Sequence, residues 1–350
     1  MAAAIEFEIA QRDADTVGTC QRLAQGPRDG HPEEGGVVAS IDLFPGQWQP
    51  QVVLMAALEV GLIKALLDQP CPPAKVAQKL ALDERAAVRV ISVLVDAGYL
   101  EQKGDGVVVA PDARALLDPA DAAFVGDRLL HLHDLLVRWV QLPAVLRDGG
   151  PARFERTPES LRAFIGSMRV GARERARPLA DRLAALFPAT KTVLDVGGGP
   201  GTQALAFREH GWQVTVLDFP EVIDLMAGDL ARAGIAAIKG DATQGIPAQG
   251  FDLVYCGNLF HSMSPAECAL VVESAARALT SGGALAIHDF LRGTGLPSSL
   301  FAVNMLAATS AGDVYGAEDY GRWCEGAGLR DFAVHEVAEQ TQRLLTADKR

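Results

Sequence analysis

The segment Val193-Leu194-Asp195-Val196-Gly197-Gly198-Gly199-Pro200-Gly201 carries the residue types best suited to hold a ligand against main chain. An apolar run feeds directly into glycines, which admit positive φ and let the backbone approach a bound group with no Cβ in the way. A helix is expected from near Thr202. Asp195 lies two residues before the first glycine, where its carboxylate can fix the loop or meet an ammonium. Asp218 ends the next apolar run, placed to accept from both hydroxyls of a ribose, and Asp241, in Gly240-Asp241-Ala242, ends the third and suits an adenine amino group. Carboxylates at successive strand ends suit a ligand bearing ammonium, sulfonium and adenosine, and they repel a pyrophosphate. S-adenosylmethionine has that chemistry. Two other readings of the same residues stay open. An acid at a strand end also serves as an N-cap, and Gly199-Pro200-Gly201-Thr202-Gln203-Ala204 fits the G-x-G-x-x-A form of a dinucleotide turn, with Asp218 reading an NAD ribose.

Acids at neighbouring strand tips require a sheet. Short apolar runs at Thr192–Val196, Gln213–Leu217, Ala236–Ile238, Phe251–Cys256 and Ala284–Ile287 alternate with helical lengths. That alternation predicts an α/β fold with a Rossmann-like, mostly parallel sheet covered by helices on both faces. Runs near Phe332–Val337 and Arg343–Thr346 finish it as an antiparallel hairpin edge. Upstream, Val52, Met55, Ala56, Leu62, Ile63 and Leu66 recur at helical spacing and stop before Pro70, Pro72 and Pro73. Two further helical patterns, Ala74 to Leu80 and Glu84 to Ala97, lead through Gly104-Asp105-Gly106 to Val107-Val108-Val109. Helix, helix and hairpin is a winged-helix layout, which serves packing or dimerisation in one reading and DNA binding in another. The organisation expected is a 1–37 arm rich in linker residues, a 38–120 mainly helical, winged-helix-like dimerisation domain, a 121–185 helical linker, and a 186–350 catalytic domain.

Bulk properties narrow the partners. A chain of 350 residues with 49% hydrophobic and 22% charged residues can bury the cores of two domains. The net charge of −12 disfavours a polyanion, since nucleic-acid affinity rests on neutralising phosphates. From Glu59 to Asp112 acids slightly outnumber bases, and the second helix offers only Arg85 and Arg89 as cations. No nucleic-acid partner is expected, and a winged-helix regulator is a remote alternative. The cysteines Cys20, Cys71, Cys256, Cys268 and Cys324 are scattered, odd in number and without a C-x-x-C pair, as in a reduced cytoplasmic protein without a structural metal. The N-terminus lacks the basic start and apolar stretch of a secretory signal. Val52 to Leu67, interrupted by Glu59 and Lys64, is too short and too charged to span a membrane.

Taken together, Leu194-Asp195-Val196-Gly197-Gly198-Gly199, Leu217-Asp218-Phe219-Pro220, Gly240-Asp241, Asn258-Leu259-Phe260-His261 and Asn304-Met305-Leu306 resemble the plant-type O-methyltransferase family, in its bacterial branch, over residues 40 to 340. That family includes caffeic acid, isoflavone and acetylserotonin methyltransferases. The resemblance implies a homodimer joined through the N-terminal domain, with S-adenosyl-L-methionine as donor, S-adenosyl-L-homocysteine as product and no metal. It implies cofactor contacts from Gly197, Asp218, Phe219, Asp241, Ala242 and Gly257, beside Asp195 and Gly199 of the turn. The family's general base falls on His261 and the acid that holds it on Asp289. A phenol of pKa about 10 is protonated at neutral pH, and an imidazole near 6.5 can take that proton as the methyl arrives. Phe164 and Met168 fall where the family clamps its acceptor, and Trp139, Asn304, Met305 and Thr309 complete the expected wall of a small-molecule acceptor. Arg169, Arg173 and Arg175 follow as possible grips on an acceptor carboxylate, or as a solvated helix face. Two positions depart from the family pattern: Ser262 stands where an acid commonly follows the base, and Val314 where a second supporting glutamate falls. A thioether or thiol acceptor needs no such base, so S-methylation on the same fold is the alternative to O-methylation.

Overall fold

A computed structural model describes residues 48–337 and 341–350. The expected 1–37 arm, with Cys20, lies outside the described residues. The first described segment forms helices α1 (Gln49–Glu59) and α2 (Leu62–Ala65), α3 (Pro73–Lys79) and α4 (Glu84–Asp96), a hairpin of β1 (Leu100–Lys103) and β2 (Gly106–Val109), and α5 (Pro111–Leu117). The single helical pattern read across Val52–Leu66 is divided. Gly61, at φ 75°, takes the left-handed conformation between α1 and α2, which glycine adopts without a Cβ penalty. Leu54, Ala57, Leu62, Ile63, Leu66, Val76, Ile91, Leu94, Leu100 and Val107 bury one another in a core of their own. Asp83 caps α4 by accepting from the Ala86 N–H at 2.8 Å.

Four helices follow: α6 (Gly126–Trp139), α7 (Leu142–Asp148), α8 (Pro158–Ala172) and α9 (Ala176–Leu186). The seven-stranded sheet then runs β3 (Thr192–Val196), α10 (Thr202–Glu209), β4 (Gln213–Asp218), α11 (Pro220–Arg232), β5 (Ala236–Lys239), β6 (Phe251–Gly257), α12 (Pro265–Ala278), β7 (Leu279–Phe290), α13 (Leu296–Ala308), α14 (Ala317–Gly326), β8 (Arg330–Glu336) and β9 (Gln342–Asp348). Its order is β5-β4-β3-β6-β7-β9-β8, parallel through β7, with an antiparallel edge from β9 and β8.

Successive side chains of a strand point to opposite faces, and both faces here are apolar. Leu194, Val196, Val254, Cys256 and Ile287 pack on α12 and α14. Val193, Val216, Leu253, Tyr255 and Ala286 pack with residues of α9, α10 and α11. The chain leaves β3 toward β4 and β5, then returns to pair β6 on the other side of β3. The order reverses there, and a crevice opens at the carboxyl ends of β3 and β6, where open α/β sheets bind ligands.

The glycine turn sits on that edge. Gly197, Gly199 and Gly201 have φ of 70°, 49° and 72°, a region costly to residues with a Cβ. A Cβ on Gly198 would lie 2.9 Å from Asp195 Oδ2 and from Val216 Cγ1, and one on Gly201 would lie 2.8 Å from Leu230 Cδ2. The turn therefore excludes side chains on two grounds, backbone conformation and space. Gly201→Ala is expected to lower stability by about 1–2 kcal/mol, the cost of left-handed backbone. An unchanged denaturation midpoint in urea would contradict this.

Candidate active site

The turn is tied to the neighbouring strand. The Gly197 N–H donates to Leu217 O at 2.7 Å, and the Gly199 N–H donates to Asp218 Oδ2 at 2.8 Å. The other carboxylate oxygen of Asp218 accepts from the Phe219 N–H at 2.7 Å. Burial raises the Asp218 pKa, and these two N–H groups oppose the rise. Asp195 is treated differently. It is 1% exposed and its Oδ2 has no hydrogen-bond partner. Burial, with the charge of Asp218 second, pushes its carboxyl up to about 7. A buried carboxylate oxygen with no donor is costly, and a cationic ligand relieves that cost.

Asp241 takes up the capping alternative. Its Oδ1 accepts from the Thr243 N–H at 2.9 Å and from the Thr243 hydroxyl at 2.7 Å, heading a short 3₁₀ turn over Ala242–Gln244. Ala242 is buried beneath it, Phe219 is 49% exposed at the start of α11, and Gly257 ends β6.

His261 lies just past β6, on a 3₁₀ turn over Phe260–Ser262. Its Nδ1 is 2.6 Å from Asp289 Oδ1. Asp289, at the end of β7, is fully buried, and N–H donors surround it: Phe260 at 3.1 Å and His261 at 3.4 Å on Oδ2, Phe290 at 2.8 Å on Oδ1. A carboxylate that already accepts from three N–H groups accepts again from the ring, which makes Nδ1 the N–H nitrogen and leaves Nε2 with a lone pair. The sequence left Phe301 unnoticed. Its ring meets the imidazole at 4.7 Å between centroids and 87°, and stacks on Phe290 at 3.8 Å. Phe301 lies one helical turn before Asn304, so the phase of α13 was the available signal.

Trp139 Nε1 donates to Asn304 Oδ1 at 3.0 Å, joining α6 to α13. Met305 is buried, and its carbonyl accepts from the Thr309 hydroxyl at 2.8 Å. That hydroxyl in turn accepts from the Gly312 N–H at 2.9 Å. A Cβ on Gly312 would fall 2.3 Å from the His261 carbonyl, so the Thr309 loop abuts the His261 backbone. Phe164 meets His131 edge-on at 5.4 Å and is 42% exposed, and Met168 is half-buried one turn further along α8. Arg169, read either as an acceptor grip or as part of a solvated helix face, is engaged by another side chain. Its guanidinium pairs with Asp229 at 2.8 Å. Ser262 donates to Leu259 O at 2.7 Å and Val314 is buried.

Residues 168–334 match a family model described as a methyltransferase domain. The chain carries a methyltransferase domain. That match sets aside the dinucleotide reading of the glycine turn. The methyltransferase is 28% identical to the 3-hydroxy-5-methyl-1-naphthoate 3-O-methyltransferase of Streptomyces sahachiroi, over 85% of this chain and 89% of that one. It is 24% identical to a cephaeline 6'-O-methyltransferase of Carapichea ipecacuanha, over 69% and 74% of the two chains. Its fold matches human N-acetylserotonin methyltransferase, solved with S-adenosylmethionine, with a TM-score of 0.67 at 21% identity, covering 86% of this chain and 94% of that one. PigF, solved with S-adenosylhomocysteine, gives 0.71 at 22% identity, covering 87% and 97%. The fold is that of S-adenosylmethionine-dependent methyltransferases, and the relatives are bacterial and plant O-methyltransferases. Among the described residues no group of three or more His, Cys, Asp or Glu could hold a metal ion, and no helix is long and apolar enough to cross a membrane.

The unpartnered oxygen of Asp195 carries a pH signature. Its folded pKa lies above that of an ordinary aspartate, so its contribution favours folding below about pH 4 and is lost as the pH rises through about 7. Asp195→Asn keeps the shape without the charge. Thermal melts of the ligand-free protein should show the variant gaining stability over the wild type as the pH rises from about 4 to 7. A difference that does not change with pH would contradict this account.

Proposed function

We propose that this methyltransferase transfers a methyl group from S-adenosylmethionine to a hydroxyl of a small-molecule acceptor, with His261 as general base. The observation that carries the reading is the 2.6 Å contact of His261 Nδ1 with the buried, N–H-surrounded Asp289. When bound, S-adenosylmethionine supplies an electrophilic methyl group and leaves as S-adenosylhomocysteine. Gly197 and Gly199 bring main chain to it, Asp218 and Phe219 hold the ribose end, Asp241, Ala242 and Gly257 the adenine end, and Asp195 a cationic group. The fit rests on the side-chain-free turn and on the orphaned Asp195 oxygen.

Asp289 holds the imidazole in one tautomer, so Nε2 faces the acceptor as a base. Nε2 takes the hydroxyl proton as the O–C bond forms, and the buried carboxylate stabilises the resulting imidazolium. Asp289 works through His261 and is a positioning residue. Trp139, Phe164, Met168, Asn304, Met305 and Thr309 form the acceptor wall.

The curated relatives act, by their names, on hydroxyls of small molecules, which supports O-methylation. S-methylation remains the alternative reading, resting on Ser262 and Val314, and the intact His261–Asp289 pair weighs against it. The N-terminal helices and hairpin, residues 38–120, form a winged-helix-like dimerisation domain in this reading, joined through helical residues 121–185 to the catalytic residues 186–350. The separate core of the N-terminal segment, and the exposed Leu132, Leu136, Val140 and Leu146 of the helical segment that follows it, support a homodimer. The free cysteines Cys71, Cys256, Cys268 and Cys324 support a cytoplasmic location in this reading.

His261→Ala should lower kcat on a hydroxyl acceptor by about 10²–10⁴-fold while leaving cofactor affinity intact. Acceptors are found by incubating the protein with S-adenosylmethionine and a metabolite extract and reading methylated products by mass spectrometry. A rate that barely changes in the variant would remove His261 as base and favour a sulfur acceptor.

A further inference from the structure

The sheet face that carries Asp195 also carries Tyr255. The two stand opposite each other in the β3–β6 register, so their side chains project to the same side of the sheet. Tyr255 is 3% exposed, and its ring meets the Phe207 ring at 5.2 Å and 82°. Two residues on, Gly257 shows which way the phenol points. A Cβ there would lie 2.5 Å from the Tyr255 hydroxyl and 2.8 Å from its Cε1. The ring therefore lies along β6 toward the carboxyl edge and fills the space that any other residue at 257 would occupy. Its oxygen ends beside Gly257, the last residue of β6.

Asp195 Oδ2, on the same face, has no hydrogen-bond partner. Burial, with the charge of Asp195 second, raises the Tyr255 pKa, so the phenol keeps its proton and its oxygen is neutral. Charged and polar groups face this pair from the surrounding elements: Asp218 from β4, and Asp289, Cys256 and Arg175 within electrostatic reach of Tyr255. A carboxylate and a phenol oxygen are both acceptors, and an ammonium brings three N–H donors. A sulfonium brings none.

We infer that Asp195 and Tyr255 together receive the α-ammonium at the amino-acid end of the adenosyl donor, with the Tyr255 hydroxyl as a ligand-binding group and Gly257 as the gap that admits it. This rests on the donor assigned above. It explains why a tyrosine occupies an otherwise apolar layer, and why the residue after next has no side chain.

The test compares two ligands that share the thioadenosine group. S-adenosylhomocysteine carries the amino-acid end and 5'-deoxy-5'-methylthioadenosine does not. Both are titrated calorimetrically into the full chain and into Tyr255→Phe, which removes only the oxygen. The expected result is about a ten-fold loss of S-adenosylhomocysteine affinity, the lower end for a hydrogen bond to a charged group, with methylthioadenosine affinity unchanged. Asp195→Asn should show the same selectivity. Equal losses for both ligands would make Tyr255 a packing residue and overturn the inference, as would no loss for either. A wild-type chain that binds neither ligand would overturn the donor assignment instead.

Discussion

Two N–H bonds, Gly197 to Leu217 O and Gly199 to the Asp218 carboxylate, hold the glycine turn against the second strand. Everything at the carboxyl edge depends on them. They set the height of the turn above the sheet, bring Asp218 and Asp195 to neighbouring positions, and leave main chain facing the crevice. They form only because β3 and β4 pair in parallel with Val196 opposite Leu217, and that pairing in turn depends on strands buried on both faces.

Two buried carboxylates divide the site. Asp289 and Asp195 are each almost fully inaccessible. Backbone N–H groups and an imidazole surround Asp289, so its charge is compensated within the chain. Asp195 has an orphaned oxygen and Asp218 beside it. The carboxylate of Asp289 is compensated within the chain, whereas one oxygen of Asp195 is not. A buried carboxylate left unpaired is a liability for folding, and here it lies where the fold places its ligand. Aromatic packing surrounds His261. Phe301 meets the imidazole edge-on, and Phe290 stacks on Phe301.

The strand–turn–helix unit was legible in the sequence because an apolar run, three glycines and a following helix leave little choice of backbone. His261 and Asp289 were singled out by the family resemblance, and the structure brings their side chains together. The sheet's hairpin edge was legible from its two apolar runs. Other features are written in pairings far apart in the chain. Tyr255 becomes polar company for Asp195 only once β3 and β6 align. Arg169, read either as an acceptor grip or as part of a solvated helix face, pairs with Asp229 on α11, a contact that local spacing does not announce. Asp241 is engaged locally as a cap, as its position also allowed. Gly61 divides a helix whose hydrophobic period continues across it, since periodicity reports burial and not backbone continuity.

The account stands on the carboxylate-flanked turn as the seat of an adenosyl donor. The most direct measurement is calorimetric titration of S-adenosylhomocysteine into the wild-type chain and into Asp218→Ala, with melting temperature as the check on folding. The account predicts affinity weaker by about 1.5–3 kcal/mol, the worth of hydrogen bonds to a charged group, in a variant that still melts cooperatively. Equal affinity in the two proteins would contradict it.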